Sequence, residues 1–313
     1  MKLMKFSILL LILSIAILAY MYLKKAGTET KMQTAIKNQS GLVQTPPKPT
    51  NNTAKNYNYT IQGARRTDNL MGYEDTEVNQ LLNKYLEFVP QAPGNLLDLG
   101  CAWGFAIQKM LAIEKQINFL KVNKRKIIAL DMDQKHIEQV AATTPPELVE
   151  PIFMHFPKLT SPQCIKAFSP DSLGATYAGL LLHYLNPDEL TQGLKLLYDA
   201  TAPGGRVYAS VNSAFIAQSL LEDFHRRKQN PGDPFPGWYP DLFDSSVPLK
   251  VRNDMPKSVC GMEIKYLHVF DEDTLSRYFE NAGFRVVESF YFNRNKMIPM
   301  KLLGVVAEKT RKK

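Results

Sequence analysis

The sequence predicts an α/β fold, a largely parallel sheet with helices on both faces, and three observations carry that expectation. From about residue 95 onward, short apolar runs alternate with longer stretches of helical period. The first run, Asn95-Leu96-Leu97-Asp98-Leu99, passes into the small-residue turn Gly100-Cys101-Ala102-Trp103-Gly104 and directly into a helix. Near the C-terminus, two apolar runs follow each other with no helix between them.

The elements follow in order. An acid two positions before Gly100, and Gly104 four positions after it, mark a nucleotide-type ligand turn at the carboxyl end of a first parallel strand. Glycines there let backbone N–H groups come close to a ligand. The spacing differs from the G-x-G-x-x-G of dinucleotide sites, and Asp98 would repel a pyrophosphate while favouring a cation. A helix is expected over residues 105–120, with Ile107, Met110, Leu111, Ile117 and Leu120 near one face. Residues 126–131 read as a second strand ending in Asp131, and Asp133 as the cap of a helix over 134–142. A third strand over 151–155 leads into Phe156-Pro157-Lys158. The apolar run 174–182 ends in His183-Tyr184-Leu185, and Asn186-Pro187-Asp188-Glu189 has the composition of a capped helix start. Ala202-Pro203-Gly204-Gly205 reads as a turn into a fifth strand. A helix over 275–282 stops at Gly283, and strands over 284–292 and 301–308 close the chain. Upstream, residues 73–86 have the pattern of an amphipathic helix, which either covers the ligand turn or packs structurally.

Residues 97–106 resemble motif I of the class I S-adenosylmethionine-dependent methyltransferases, where an acid precedes three alternating glycines. Here the middle glycine is Ala102, a residue that resists positive φ. The resemblance extends in element order over about residues 95–308. It implies a seven-stranded Rossmann-like methyltransferase sheet with helices on both faces and an antiparallel last strand pair. It also implies S-adenosyl-L-methionine as cofactor, held by Asp98, Gly100, Cys101, Ala102, Trp103 and Gly104. Asp131 would accept hydrogen bonds from the ribose and Met132 would lie against the adenine; the alternatives are Asp133 in that role, or Asp131 as an ordinary exposed acid at a strand end. Many relatives carry an acid after the third strand; none stands there in this chain, which leaves the adenine to apolar or backbone contacts. Methyl transfer from a sulfonium is an in-line displacement in which positioning supplies much of the acceleration, and it requires no metal. A base is needed only when the acceptor must lose a proton. His183 is the candidate, since its ordinary pKa suits that role; the alternative is a histidine that packs the next helix start. Tyr184 either orients an acceptor or covers apolar surface. Cys101 is a small turn residue or, less simply, a reactive thiol, and three widely spaced cysteines form no disulfide framework or metal-ligand pattern.

Residues 1–25 are expected to form a single transmembrane helix preceding the sheet. Eighteen uncharged residues, 6–23, would extend about 27 Å as a helix against a hydrocarbon core of about 30 Å. A secretory signal cleaved near Ser14-Ile15-Ala16 is the competing reading. Residues 26–60 read as a flexible basic linker and 61–313 as the methyltransferase domain, with an insertion at about 213–265. The stretch from Pro231 to Pro240, with Phe243 behind it, is a lid, a docking surface or a mini-core for the insertion. The net charge of +8 divides into +9 over residues 1–66 and therefore −1 over 67–313. A near-neutral domain argues against a nucleic-acid partner, and the basic tether predicts attraction to an anionic membrane surface. Lysines after the span place the catalytic domain on the cytoplasmic side. The expected function is methyl transfer to a small-molecule or lipid-like acceptor at a membrane surface. The alternatives are a protein methyltransferase, a methyltransferase-like binding module without turnover, and a nicotinamide-dependent oxidoreductase.

Overall fold

The computed structural model describes residues 64–66, 73–242, 244, 247–254, 266–294 and 301–311. In chain order the elements are β1 (Ala64–Arg66), β2 (Tyr73–Asp75), α1 (Gln80–Phe88), β3 (Asn95–Leu99), α2 (Phe105–Ile117), α3 (Phe119–Val122) and β4 (Ile127–Asp131). Next come α4 (Gln134–Thr143), β5 (Val149–Phe153), α5 (Pro162–Ala167), β6 (Leu173–Gly179), α6 (Pro187–Ala200) and β7 (Thr201–Asn212). The chain continues through α7 (Gln218–Lys228), β8 (Trp238–Tyr239), α8 (Leu249–Asp254), β9 (Leu267–His268), α9 (Glu272–Ala282), β10 (Arg285–Asn293) and β11 (Lys301–Glu308).

Among the described residues, seven strands form one mixed sheet in the order β10-β11-β7-β6-β3-β4-β5. Strands β3 to β7 are parallel, and β11 runs antiparallel to both β7 and β10. This is the seven-stranded arrangement, with its antiparallel final pair, that the resemblance implies. The strand order reverses at β3, and open α/β sheets bind ligands outside the carboxyl ends of the strands at such a point, here β3 and β6. Because β10 is parallel to β7, its carboxyl end reaches the same edge.

Strand residues alternate between two cores. Leu96 joins the layer built on α1, α2 and α4, while Leu97 and Leu99 join the layer built on α5, α6 and α9. By the same alternation Asp98 shares the face of Leu96, which carries a carboxylate towards the buried Tyr85 and Tyr177. Caps set the starts of the helices. Asn186 and Glu189 form a reciprocal capping box at α6, whose Leu190, Leu194 and Leu197 are fully buried. Asp133 caps α4, Asp271 caps α9, and Gly283 ends α9 at φ 108°.

Several expectations are corrected. No helix among the described residues is long and apolar enough to cross a membrane. The longest of them, α6, has 14 residues, which span about 21 Å and fall short of the hydrocarbon core. The transmembrane helix, the membrane-surface location and the anionic membrane partner are therefore withdrawn. Residues 1–63, which carried those expectations and the linker, lie outside the described residues. Residues 73–86 are not one helix: Tyr73–Asp75 pairs with Ala64–Arg66, and α1 starts after Asn79, whose side chain accepts the Leu82 N–H. The helix after the glycine turn ends at Ile117, because Asn118 adopts the left-handed region at φ 54°. The Glu114 carboxylate then takes the Leu120 and Lys121 N–H groups. The third strand runs two residues earlier than expected, over Val149–Phe153. Leu220, Phe224, Tyr239 and Val251 of the insertion are buried in one cluster with Leu267 of β9, and of the stretch from Pro231 to Pro240 this cluster holds Tyr239; Phe243 lies outside the described residues.

Candidate functional site

The turn after β3 is tied to β4. Gly100 and Cys101 donate their N–H groups to the Leu130 carbonyl at 2.7 and 3.0 Å, and Gly104 donates to Cys101 at 2.8 Å. Gly100 and Gly104 stand at φ 77° and 86°, and Ala102 adopts φ 44° despite its Cβ. A non-glycine residue in that region is strained by roughly 1–2 kcal/mol. What holds Ala102 there is visible: its N–H donates to Asp131 Oδ2 at 2.8 Å. The Phe105 N–H, at the start of α2, donates to Glu74 Oε1 at 2.8 Å. The turn's amides are thus largely engaged within the protein, and the carboxylates of Glu74, Asp98 and Asp131 lie beside it.

Asp98 is the central one. It is buried, and its Oδ2 has no hydrogen-bond partner. Burial first, and the Asp131 charge second, push its pKa from 3.8 up to about 8. Glu74, Asp98 and Asp131 all act on the Cys101 thiol, which burial and these carboxylates hold well above its ordinary pKa. Cys101 is therefore no activated thiolate. Three carboxylates converging on a glycine turn suit a cationic ligand group, and an unpartnered buried oxygen gives that group a place to bond.

Asp131 lies at the end of β4, largely buried, and Met132 follows it, 39% exposed. Besides the Ala102 amide, Asp131 accepts the Asp133 N–H at 2.9 Å and lies 3.2 Å from His136 Nδ1. The Trp103 ring meets the His136 ring edge-on at 4.5 Å. Asp98, Cys101, Ala102, Trp103, Gly104 and Asp131 are therefore gathered in one place.

His183 and Tyr184 sit in a short 3-10 turn after β6. Leu181 of the same loop packs on Gly100, where an added Cβ would stand 2.7 Å from Leu181 Cδ1. His183 is buried and its Nδ1 has no partner. Burial, Arg294 and His268 lower its pKa to about 3. The imidazole is thus neutral at physiological pH, unlike the ordinary histidine expected from sequence. Tyr184 is half-buried, its ring 4.2 Å from that of His183. Arg294, at the end of β10, donates Nε–H to Asp75 Oδ1 at 2.8 Å, with both side chains mostly buried.

Sequence reasoning did not find Glu74, His136 or Arg294. His136 carried a faint signal, on the first turn of the helix after Asp131. Glu74 and Arg294 carried none, since each meets its partner across a long stretch of chain.

No family model matches the chain, and no curated protein matches it by sequence. Solved structures of similar shape include a SAM-dependent methyltransferase from Methanosarcina mazei, 15% identical over 75% of this chain and 99% of that one, TM-score 0.48. A 1,6-didemethyltoxoflavin-N1-methyltransferase from Burkholderia thailandensis is 16% identical over 74% of this chain and 77% of its own, TM-score 0.46. The [4+2]-cyclase SpnF is 12% identical over 74% and 81%, also at 0.46. Likenesses this distant carry no argument about activity, and the fold rests on the strand order itself.

Proposed function

We propose that the crevice above Asp98 binds S-adenosyl-L-methionine and that the chain transfers its methyl group to a small-molecule acceptor. One observation carries the reading: a buried carboxylate oxygen without a partner, beneath a left-handed glycine turn at the strand-order reversal. Asp98 faces the cationic end of the ligand. Gly100, Cys101, Ala102, Trp103 and Gly104 form the floor, Asp131 meets a ribose hydroxyl, and Met132 flanks the adenine. When bound, S-adenosyl-L-methionine would supply an activated methyl group for an acceptor nucleophile, with S-adenosylhomocysteine as the other product.

His183 and Tyr184 stand on the acceptor side. A histidine with pKa about 3 is a weak base, so His183 acts as a neutral hydrogen-bonding group that orients the acceptor, and a proton released from the acceptor leaves to solvent. Calorimetry on the full chain with S-adenosylhomocysteine tests the cofactor, with micromolar binding expected and lost in Asp98→Asn. Binding of NAD in its place overturns the reading. Incubation with radiolabelled methyl donor and a metabolite extract tests turnover; label appearing only in protein shifts the acceptor class to protein.

A further inference from the structure

Asp131 is committed to the protein on three sides. Its Oδ2 accepts the Ala102 N–H, and its Oδ1 accepts the Asp133 N–H and meets His136 Nδ1. An ionised carboxylate offers about four acceptor positions. One remains. His136 is 1% exposed, its Nε2 has no partner, and the Trp103 ring packs against its ring in a T-shaped contact. A buried imidazole aimed at an acid through one nitrogen, with the other left bare, is unexplained by packing alone, because an apolar side chain would fill the same space without the desolvation cost.

We propose that His136 is a positioning residue for ribose recognition: it fixes the Asp131 carboxylate so that the acid braces the glycine turn and keeps one acceptor position for a ligand hydroxyl. This rests on the adenosyl-binding reading above. The charged groups facing His136 are Asp131 at the end of β4, Asp133 at the cap of α4 and Glu74 on β2, with Asp98 acting on Asp131 from β3. Burial opposes protonation of His136, but the hydrogen bond and charge of Asp131, with Asp133 and Glu74, outweigh it and raise the pKa. Protonated His136 neutralises the local charge and makes Asp131 a poorer acceptor for the ribose. Affinity for a ribose ligand therefore falls as pH drops through the His136 titration.

The test uses 5′-methylthioadenosine, which carries the ribose but neither ammonium nor sulfonium, titrated calorimetrically into the full chain between pH 5.5 and 8.5. Wild-type affinity is expected to fall roughly fivefold towards the acid end, the difference between a hydrogen bond to a charged and to a neutralised acceptor. His136→Gln, whose amide donates to Asp131 but does not ionise, keeps wild-type affinity at pH 8 and loses the part of the acid limb that His136 contributes, leaving only the shallower dependence due to Asp98. His136→Phe, with no donor, binds more weakly at every pH; if it fails to fold, His136→Gln decides alone. Superimposed profiles for wild type and His136→Gln overturn the proposal, as does a folded His136→Phe protein that binds like wild type. A wild-type protein that binds no adenosyl compound overturns the adenosyl reading itself.

Discussion

Asp98→Asn is expected to move stability and binding in opposite directions. Wild-type Asp98 is buried with a pKa of about 8 against an ordinary 3.8, through burial first and Asp131 second. The folded protein holds a proton there that the unfolded chain releases above about pH 4. Stability through this group is therefore full at acid pH and falls as pH rises from about 4 to about 8. Each pH unit of that interval is worth about 1.36 kcal/mol, so between pH 5 and pH 8 wild type loses up to about 4 kcal/mol. The asparagine variant has the same shape and no titration, so it loses none of this. Urea denaturation at pH 5, 6, 7 and 8 reads the gap, which should be smallest at pH 5, about 1.4 kcal/mol, and widen at each step in favour of the variant. Affinity for S-adenosylhomocysteine should meanwhile drop at least about 30-fold, because a desolvated charge pair with the ligand's ammonium is lost. A gap that stays flat with pH refutes the electrostatic reasoning. A variant that binds ligand as well as wild type refutes the placement of Asp98 in the site.

Three further outcomes follow from the same structure. A cation arriving beside Asp98 expels its proton, so S-adenosylhomocysteine affinity in wild type should rise with pH by up to about tenfold per unit below pH 8. Calorimetry in buffers of different ionisation enthalpy should record that proton release, and buffer-independent heats contradict it. Arg294→Met removes the Nε–H bonded to mostly buried Asp75, at an expected cost of about 3 kcal/mol; adding Asp75→Asn should recover much of it, and an unrecovered loss points to packing instead. Asn186→Ala opens the capping box of α6, with an expected loss of about 1 kcal/mol in urea melts; an unchanged midpoint shows that tertiary packing alone holds the helix start.

Much of the fold was legible because its signals are local. The apolar run of β3, the caps at Asn186 and Asp133, and the stop at Gly283 lie within a few residues of the elements they shape, whereas the cap at Asp271 was not read and α9 starts three residues earlier than expected. Where reading failed, the deciding partner was distant or a single backbone angle intervened. Tyr73–Asp75 became a strand because Ala64–Arg66 lay beside it, and the helix after the glycine turn broke at left-handed Asn118. The candidate site divides the same way. Asp98 and Asp131 stood out by their offsets from the glycine turn, whereas Glu74 reaches Phe105 across 31 positions and Arg294 reaches Asp75 across 219.

From the sequence alone came the order of strands and helices, the glycine turn and the two acids beside it, since apolar periodicity and turn chemistry are written in neighbouring residues. Only the tertiary structure decided what those acids are chemically. Packing strips Asp98 of water and raises its pKa, folds Ala102 and His136 onto Asp131, and buries His183 until its imidazole stays neutral. Charge states depend on what surrounds a group in three dimensions, and that surrounding is assembled from parts of the chain that no local pattern connects.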